Sequence, residues 1–171
     1  MMTDINLHFA SYWIDRLELQ PHPEGGYYKE VFRSAVQVTR PSSETIKQAC
    51  TSIYYLLEGK DYSGFHKLLS DEIWYFHKGV PVLVHVIDQD GVYTTHELSD
   101  TESGSLSVVV EAGLWFAAEI PSGKNFTLMS CVVAPGFEFA EFEMGKKDEL
   151  KAELPQHSLI LDRLCRINEV I

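Results

Sequence analysis

From Tyr27 to about Glu143 the chain is a succession of short apolar runs separated by turn residues, with no alternation of strand and helix. A parallel sheet needs long crossovers between its strands, so this pattern leaves an antiparallel sandwich or barrel. YYKEVFR (27–33) has the period of two that puts alternate side chains on opposite faces. Further strands are predicted near 49–57, 64–69, 72–77, 81–88, 92–98, 106–111, 114–120, 126–134 and 138–143. QDG (89–91) and PSGKN (121–125) supply the hairpin turns, and RPSSE (40–44) reads as a polar loop. The ends read as helix. Phe9, Trp13, Ile14 and Leu17 share one face over about 8–18, and PHPEGG (21–26) stops that helix. KKDELKAE and HSLILDRLCRI make a helical tail over about 147–165. Without a repeat or a low-complexity linker, the 171 residues are expected to form one mainly β domain, with its barrel at about 27–143.

The net charge of −11 argues against a nucleic-acid or anionic-membrane partner, because phosphate recognition needs a basic surface. No run approaches the roughly 18 apolar residues that span a bilayer. The N-terminal segment lacks a basic leader and carries acids among its apolar residues, so a cytoplasmic location is expected. Cys50, Cys131 and Cys165 have neither disulfide nor zinc spacing and read as small hydrophobes.

The chemistry concentrates in SGFHKLLSDEIWYFHKG (63–79). On strands, His66 and Leu68 share a face, Glu72 and Trp74 share a face, and Ile73, Tyr75 and His77 take the other side. With His66 and Glu72 facing inward, an imidazole and a carboxylate converge in an apolar cup. Such a pair can ligate a cation or tune a histidine for proton transfer.

The spacing Gly59…His66-x-Leu68-x3-Glu72-x6-Gly79 resembles the first motif of cupins, and EAGLWF (111–116) stands where their second motif falls. PHPEGGYYKEVFRS (21–34), SIYYLL (52–57), HKLLSDEIWYFHKG (66–79), GLWFAAE (113–119) and VVAPGFEFAEFE (132–143) are similar, in that order, to the cupin-5 (DUF985) family of RmlC-like cupins. The resemblance implies a double-stranded β-helix jelly roll, a homodimer or larger assembly, and a small-molecule pocket. It also implies a loose kinship with keto-sugar epimerases, in which His66 takes the base position. Ser63 stands where those enzymes carry a phosphate-binding arginine, and Leu68 and Phe116 stand where metal-binding cupins carry ligands.

Three functions are therefore open: a metal-independent isomerase or epimerase, a binding module for a carbohydrate or planar metabolite, and a metal enzyme. In the first, His66 is the base, Glu72 orients it, and Tyr28 or Tyr55 returns the proton. The candidate ligand-binding residues are Tyr28, Arg33, Trp74, Trp115, Phe116 and Glu141. No cofactor is expected; a divalent metal would have only His66 and Glu72 to hold it, fewer than the three protein ligands a catalytic site needs. His22 is read as bonding its own turn, His85 and His96 as structural or solvent-facing, and Phe137 and Phe139 as core.

Overall fold

The computed structural model describes residues 9–40 and 44–166. The predicted helix start at residue 8 and positions 41–43 of the polar loop lie outside them. Among the described residues three helices, α1 (Ala10–Leu17), α2 (Lys147–Glu153) and α3 (Ser158–Leu164), flank thirteen strands. One antiparallel sheet runs in the order β1 (Gln20–Pro21), β2 (Tyr27–Arg33), β5 (Thr51–Glu58), β12 (Phe126–Ala134), β7 (Asp71–Gly79) and β10 (Ser107–Val110). The other runs β13 (Phe142–Met144), β6 (Tyr62–Leu68), β11 (Trp115–Glu119), β8 (Val82–Ile87) and β9 (Tyr93–Leu98). A hairpin of β3 (Gln37–Thr39) and β4 (Ile46–Gln48) stands apart. This is a jelly roll: two antiparallel sheets face to face, with their inward side chains forming the core.

That core joins Tyr55, Leu57, Trp74 and Met129 from the first sheet to Val82, Val84, Phe116 and Ala118 from the second. Complete burial of each large side chain contributes roughly 1.5–3 kcal/mol. The outer faces are covered as well. Leu150, Leu161 and Leu164 of α2 and α3 pack on Phe65, Ile87 and Ala117, while α1 covers Leu56, Phe126 and Leu128. Burial on both faces explains why TSIYYLL and FTLMSCVVA read as continuous apolar runs instead of alternating ones.

The two tail segments expected on either side of Pro155 are α2 and α3, with Leu154 leaving helical geometry and Pro155 opening a 3-10 turn between them. Two expectations change. The strand predicted at 138–143 is a 3-10 turn, Phe139–Glu141, followed by the short β13. β1, β3 and β4 were not expected; each has only two or three residues, too few to show a period.

Candidate functional site

PHPEGG decides the geometry of the site. Gly25 N donates to His22 O, His22 N donates to Gly26 O, and both glycines have positive φ (116° and 68°). A side-chain carbon on Gly25 would overlap the Arg166 guanidinium and the Tyr62 carbonyl, so only glycine allows this approach. The turn crosses from the first sheet to β6 of the second. Gly64 N donates to Glu24 O (2.8 Å), Gly26 N to Asp61 Oδ2 (2.8 Å), and Tyr55 Oη to Gly25 O (2.7 Å). Arg166, beyond α3, locks it from outside: Nε donates to Glu24 O (2.8 Å), while one terminal nitrogen bonds Asp61 and the Tyr62 carbonyl.

Pinned in this way, the Glu24 carboxyl group points at His66. Oε2 lies 3.3 Å from His66 Nε2, and Oε1 accepts from Ser63 Oγ (3.0 Å). His66 is 2% exposed, and its Nδ1 is 2.8 Å from the Gly64 carbonyl, which can only accept. Nδ1 therefore carries a proton, and Nε2 shares another with Glu24 or presents its lone pair. His22 differs. Its Nδ1 accepts the Glu24 backbone N–H (3.3 Å), so in the neutral ring the proton sits on Nε2. Burial holds His22 below the ordinary histidine range, against the opposing pull of Glu24.

Both histidines and Glu24 line a cavity of about 160 Å³. Its other walls include Tyr28, Leu68, Glu72, Cys131 and the phenyl rings of Phe137, Phe139 and Phe142. The Glu72 carboxyl is raised from 4.5 to about 8, first by burial and then by the charge of Glu24, so it is neutral at pH 7. Glu72 Oε2 has no hydrogen-bond partner. Cys131, buried beside it, is a thiol held well above its usual range by burial and by Glu72.

The expected site residues fall into two groups. His66, Glu72, Tyr28 and Arg33 are brought together on the cavity, although Arg33 is already bound to Glu30 (2.8 Å) and Glu138 (2.7 Å). Glu24, not Glu72, is the carboxylate at His66 Nε2. Tyr55 lies in the core with its hydroxyl on Gly25 O. The cavity walls do not include Trp74, Trp115, Phe116 or Glu141. Trp74 and Phe116 are core residues behind them, with the Phe116 ring 4.0 Å from His66 between centroids. Trp115, one residue away, must face the opposite side of its strand, where it packs toward the helices under the Lys67 ammonium (4.4 Å). Glu141 is turned outward to Arg40 and Lys47 (each 2.9 Å).

His22 bonds its own turn as expected, through the Glu24 N–H; its place on the cavity, and Glu24 altogether, were missed because a Pro/Gly turn reads as a connection. The available signal was an acid beside two consecutive glycines, a combination that permits unusually close backbone approach. His85, read as structural or solvent-facing, is buried under α3, with Nδ1 2.7 Å from Tyr93 Oη and Nε2 3.3 Å from Glu119.

A cupin metal would need the positions taken by Leu68 and Phe116. Leu68 lines the cavity, Phe116 pairs with His66 across β6 and β11, and neither can coordinate. Among the described residues no three His, Cys, Asp or Glu side chains are grouped to hold a metal ion. The donor set does not fit one. Also among the described residues, no helix is long and apolar enough to cross a membrane.

The signature of the family described as Cupin superfamily (DUF985) matches residues 11–145. An uncharacterized Saccharomyces cerevisiae protein, YML079W, is 33% identical over 153 residues, covering 81% of this chain and 76% of its own length. The solved structure of a hypothetical protein from Leishmania major is 34% identical, with a TM-score of 0.87 over 93% of this chain and 99% of that one. Protein SO0799 from Shewanella oneidensis is also 34% identical, with a TM-score of 0.85 over 94% and 99%.

Proposed function

Since this chain belongs to the DUF985 family of the cupin superfamily, we propose that it binds a compact carbonyl compound and moves a proton on the carbon beside the carbonyl, as an isomerase or epimerase does. The observation that carries this reading is the meeting of Glu24, His66 and His22 on one cavity, with His66 Nδ1 and His22 Nε2 as the proton-bearing nitrogens. Glu24 and His66 form a buried acid–base pair, and the substrate's proton passes to that pair. His22, neutral with its proton on Nε2, donates to the carbonyl oxygen as negative charge develops there. Apolar walls strengthen both interactions by excluding water.

Cavity size limits the substrate. An engineered cavity of about 150 Å³ holds a single benzene ring, so 160 Å³ suits one ring or a short chain. A nucleotide sugar is too large, and Ser63, at the position of the epimerases' phosphate clamp, is bonded to Glu24.

The test is solvent exchange. In D2O, a panel of short hydroxy-ketones, hydroxy-aldehydes and amino-ketones is followed by proton NMR for loss of the hydrogen beside the carbonyl. Wild-type protein should accelerate exchange of at least one compound. His66→Asn should slow it by roughly a hundredfold or more, and His22→Gln should lower the rate while changing binding little. Compounds that bind but never exchange would replace catalysis with binding alone.

A further inference from the structure

The proton transfer described above uses Glu24, His22 and His66 and leaves Glu72 without a task. Glu72 is 7% exposed and lines the cavity, and its Oε2 makes no well-formed hydrogen bond, the Trp74 indole and the Cys131 thiol being the donors near its carboxyl group. A buried oxygen of this kind is costly to leave unbonded and is suited to a ligand that brings a donor. Three phenylalanines also line the cavity. Phe137 and Phe139 have centroids 5.0 Å apart at 80°, Phe137 and Phe142 6.0 Å at 69°, and Phe139 and Phe142 6.3 Å at 77°. Such edge-to-face packing is usual for aromatic rings, and a ring face that borders a cavity can hold an ammonium group.

The charge of the lining points the same way. Four carboxyl groups (Glu24, Glu30, Glu72 and Glu138) face one guanidinium, Arg33, which is bonded to two of them. An anionic ligand would meet carboxylates without an unengaged arginine or lysine among the lining residues. A cation would meet aromatic rings and an acceptor.

We propose that this cavity binds an organic cation, a primary or methylated ammonium group of about single-ring bulk, seated between Glu72 and the Phe137, Phe139 and Phe142 rings. This rests on the reading of the cavity as a substrate site and makes that substrate an amino-carbonyl compound.

Binding carries a proton signature. At pH 7 Glu72 is protonated, its value standing at about 8. A cation set against it favours the carboxylate, so the proton leaves on binding. The titratable and charged groups that line the cavity with it are Glu24, His22, His66, Tyr28, Glu30, Arg33 and Glu138, with Cys131 on β12.

The experiment compares three probes of similar bulk by titration calorimetry: choline, neohexyl alcohol (carbon in place of nitrogen) and tert-butylacetate. Choline should bind about tenfold or more tighter than the alcohol, and the anion should not bind. Glu72→Gln should weaken choline by about tenfold while leaving the alcohol within about twofold; a merely structural role would move both alike. Buffers of different ionisation heat should show close to one proton released per choline at pH 7, and none with Glu72→Gln. The assignment is overturned if the alcohol matches choline, if the anion binds, if choline does not bind, or if the variant weakens both probes equally. Exchange of neutral ketones that needs His66, without choline binding, would remove the cation and keep the proton transfer. Choline binding without any exchange would do the reverse.

Discussion

Glu72→Gln tests the electrostatics of the cavity without any ligand. Between about pH 4.5 and pH 8 the unfolded chain has released the Glu72 proton and the folded chain keeps it. Folding then takes up a proton, so this group's contribution to stability falls as pH rises through that window and levels off above pH 8. Each pH unit is worth about 1.4 kcal/mol, so ionised Glu72 costs the native state on the order of 4–5 kcal/mol at pH 9 relative to pH 4. Glutamine has nearly the same shape and stays neutral. The variant should lie within about 1 kcal/mol of wild type at pH 5 and exceed it by about 4 kcal/mol at pH 9. For a chain of this length that is a gain of about 10 °C in Tm at the alkaline end. His22, His77 and His85 are held below the usual histidine range, each chiefly by burial, and give the opposite slope below neutrality. They act in both proteins, so the difference between the two profiles isolates Glu72. Calorimetric melts at half-unit steps from pH 5 to pH 9 would measure it. Parallel profiles, or a variant less stable than wild type at pH 9, would refute the neutral buried acid.

Three further outcomes concern the frame around the site. Arg166→Met keeps the stem but removes donors to Glu24 O, Tyr62 O and Asp61, and should cost about 2–3 kcal/mol in urea unfolding. Gly25→Ala must adopt a positive φ and push against that same guanidinium, a loss of more than about 2 kcal/mol by the same measurement. Because Arg166→Met removes the overlap with the guanidinium, leaving that with the Tyr62 carbonyl, the double variant should lose less than the two single losses combined. Glu141→Gln leaves Lys47, 5% exposed, without its carboxylate and should cost about 3 kcal/mol at pH 7. Burial tends to raise the Glu141 carboxyl, but Lys47 and Arg40 outweigh it and hold it below the usual range. Its contribution should therefore fade as pH drops below the ordinary carboxylate range.

The strand series was legible because period-two runs and turn chemistry agree along most of the barrel; β12 was predicted with the ends it has, Phe126–Ala134. The facing of β7 was legible too: Glu72 and Trp74 are buried, while Tyr75 and His77 are exposed. What alternation within one strand cannot supply is register between strands. It places Glu72 on the inner face, but pairing sets it opposite Val133 and Val110, and His66 opposite Phe116 and Met144. The carboxylate that reaches His66 comes from a turn 42 residues upstream, a contact that no local pattern encodes. Alternation could have corrected one expectation unaided: Trp115 and Phe116 are adjacent on a strand, so both cannot face the same cavity.

Together, the kept and lost features of the motif explain why the site presents a carboxyl–imidazole pair and not a set of metal ligands. Phe116 holds one face of the His66 ring and Leu68 lines the cavity beside it, so the two positions that could complete a metal set are apolar. Apolar neighbours raise the free energy of any charge placed there, which is why Glu72, without a counter-ion, is neutral. Glu24 differs in its contacts: it has both Ser63 and an imidazole within reach. Two carboxyl groups on one cavity are thus driven to different roles by their partners alone. The division depends on holding Glu24 in place, and its backbone is fixed by β6 on one side and by Arg166 on the other. A displacement of about 1 Å can cost a hundredfold in rate, so under the proposed proton transfer Arg166 is a positioning residue, bonded to the Glu24 backbone and not to its carboxyl group or to His66.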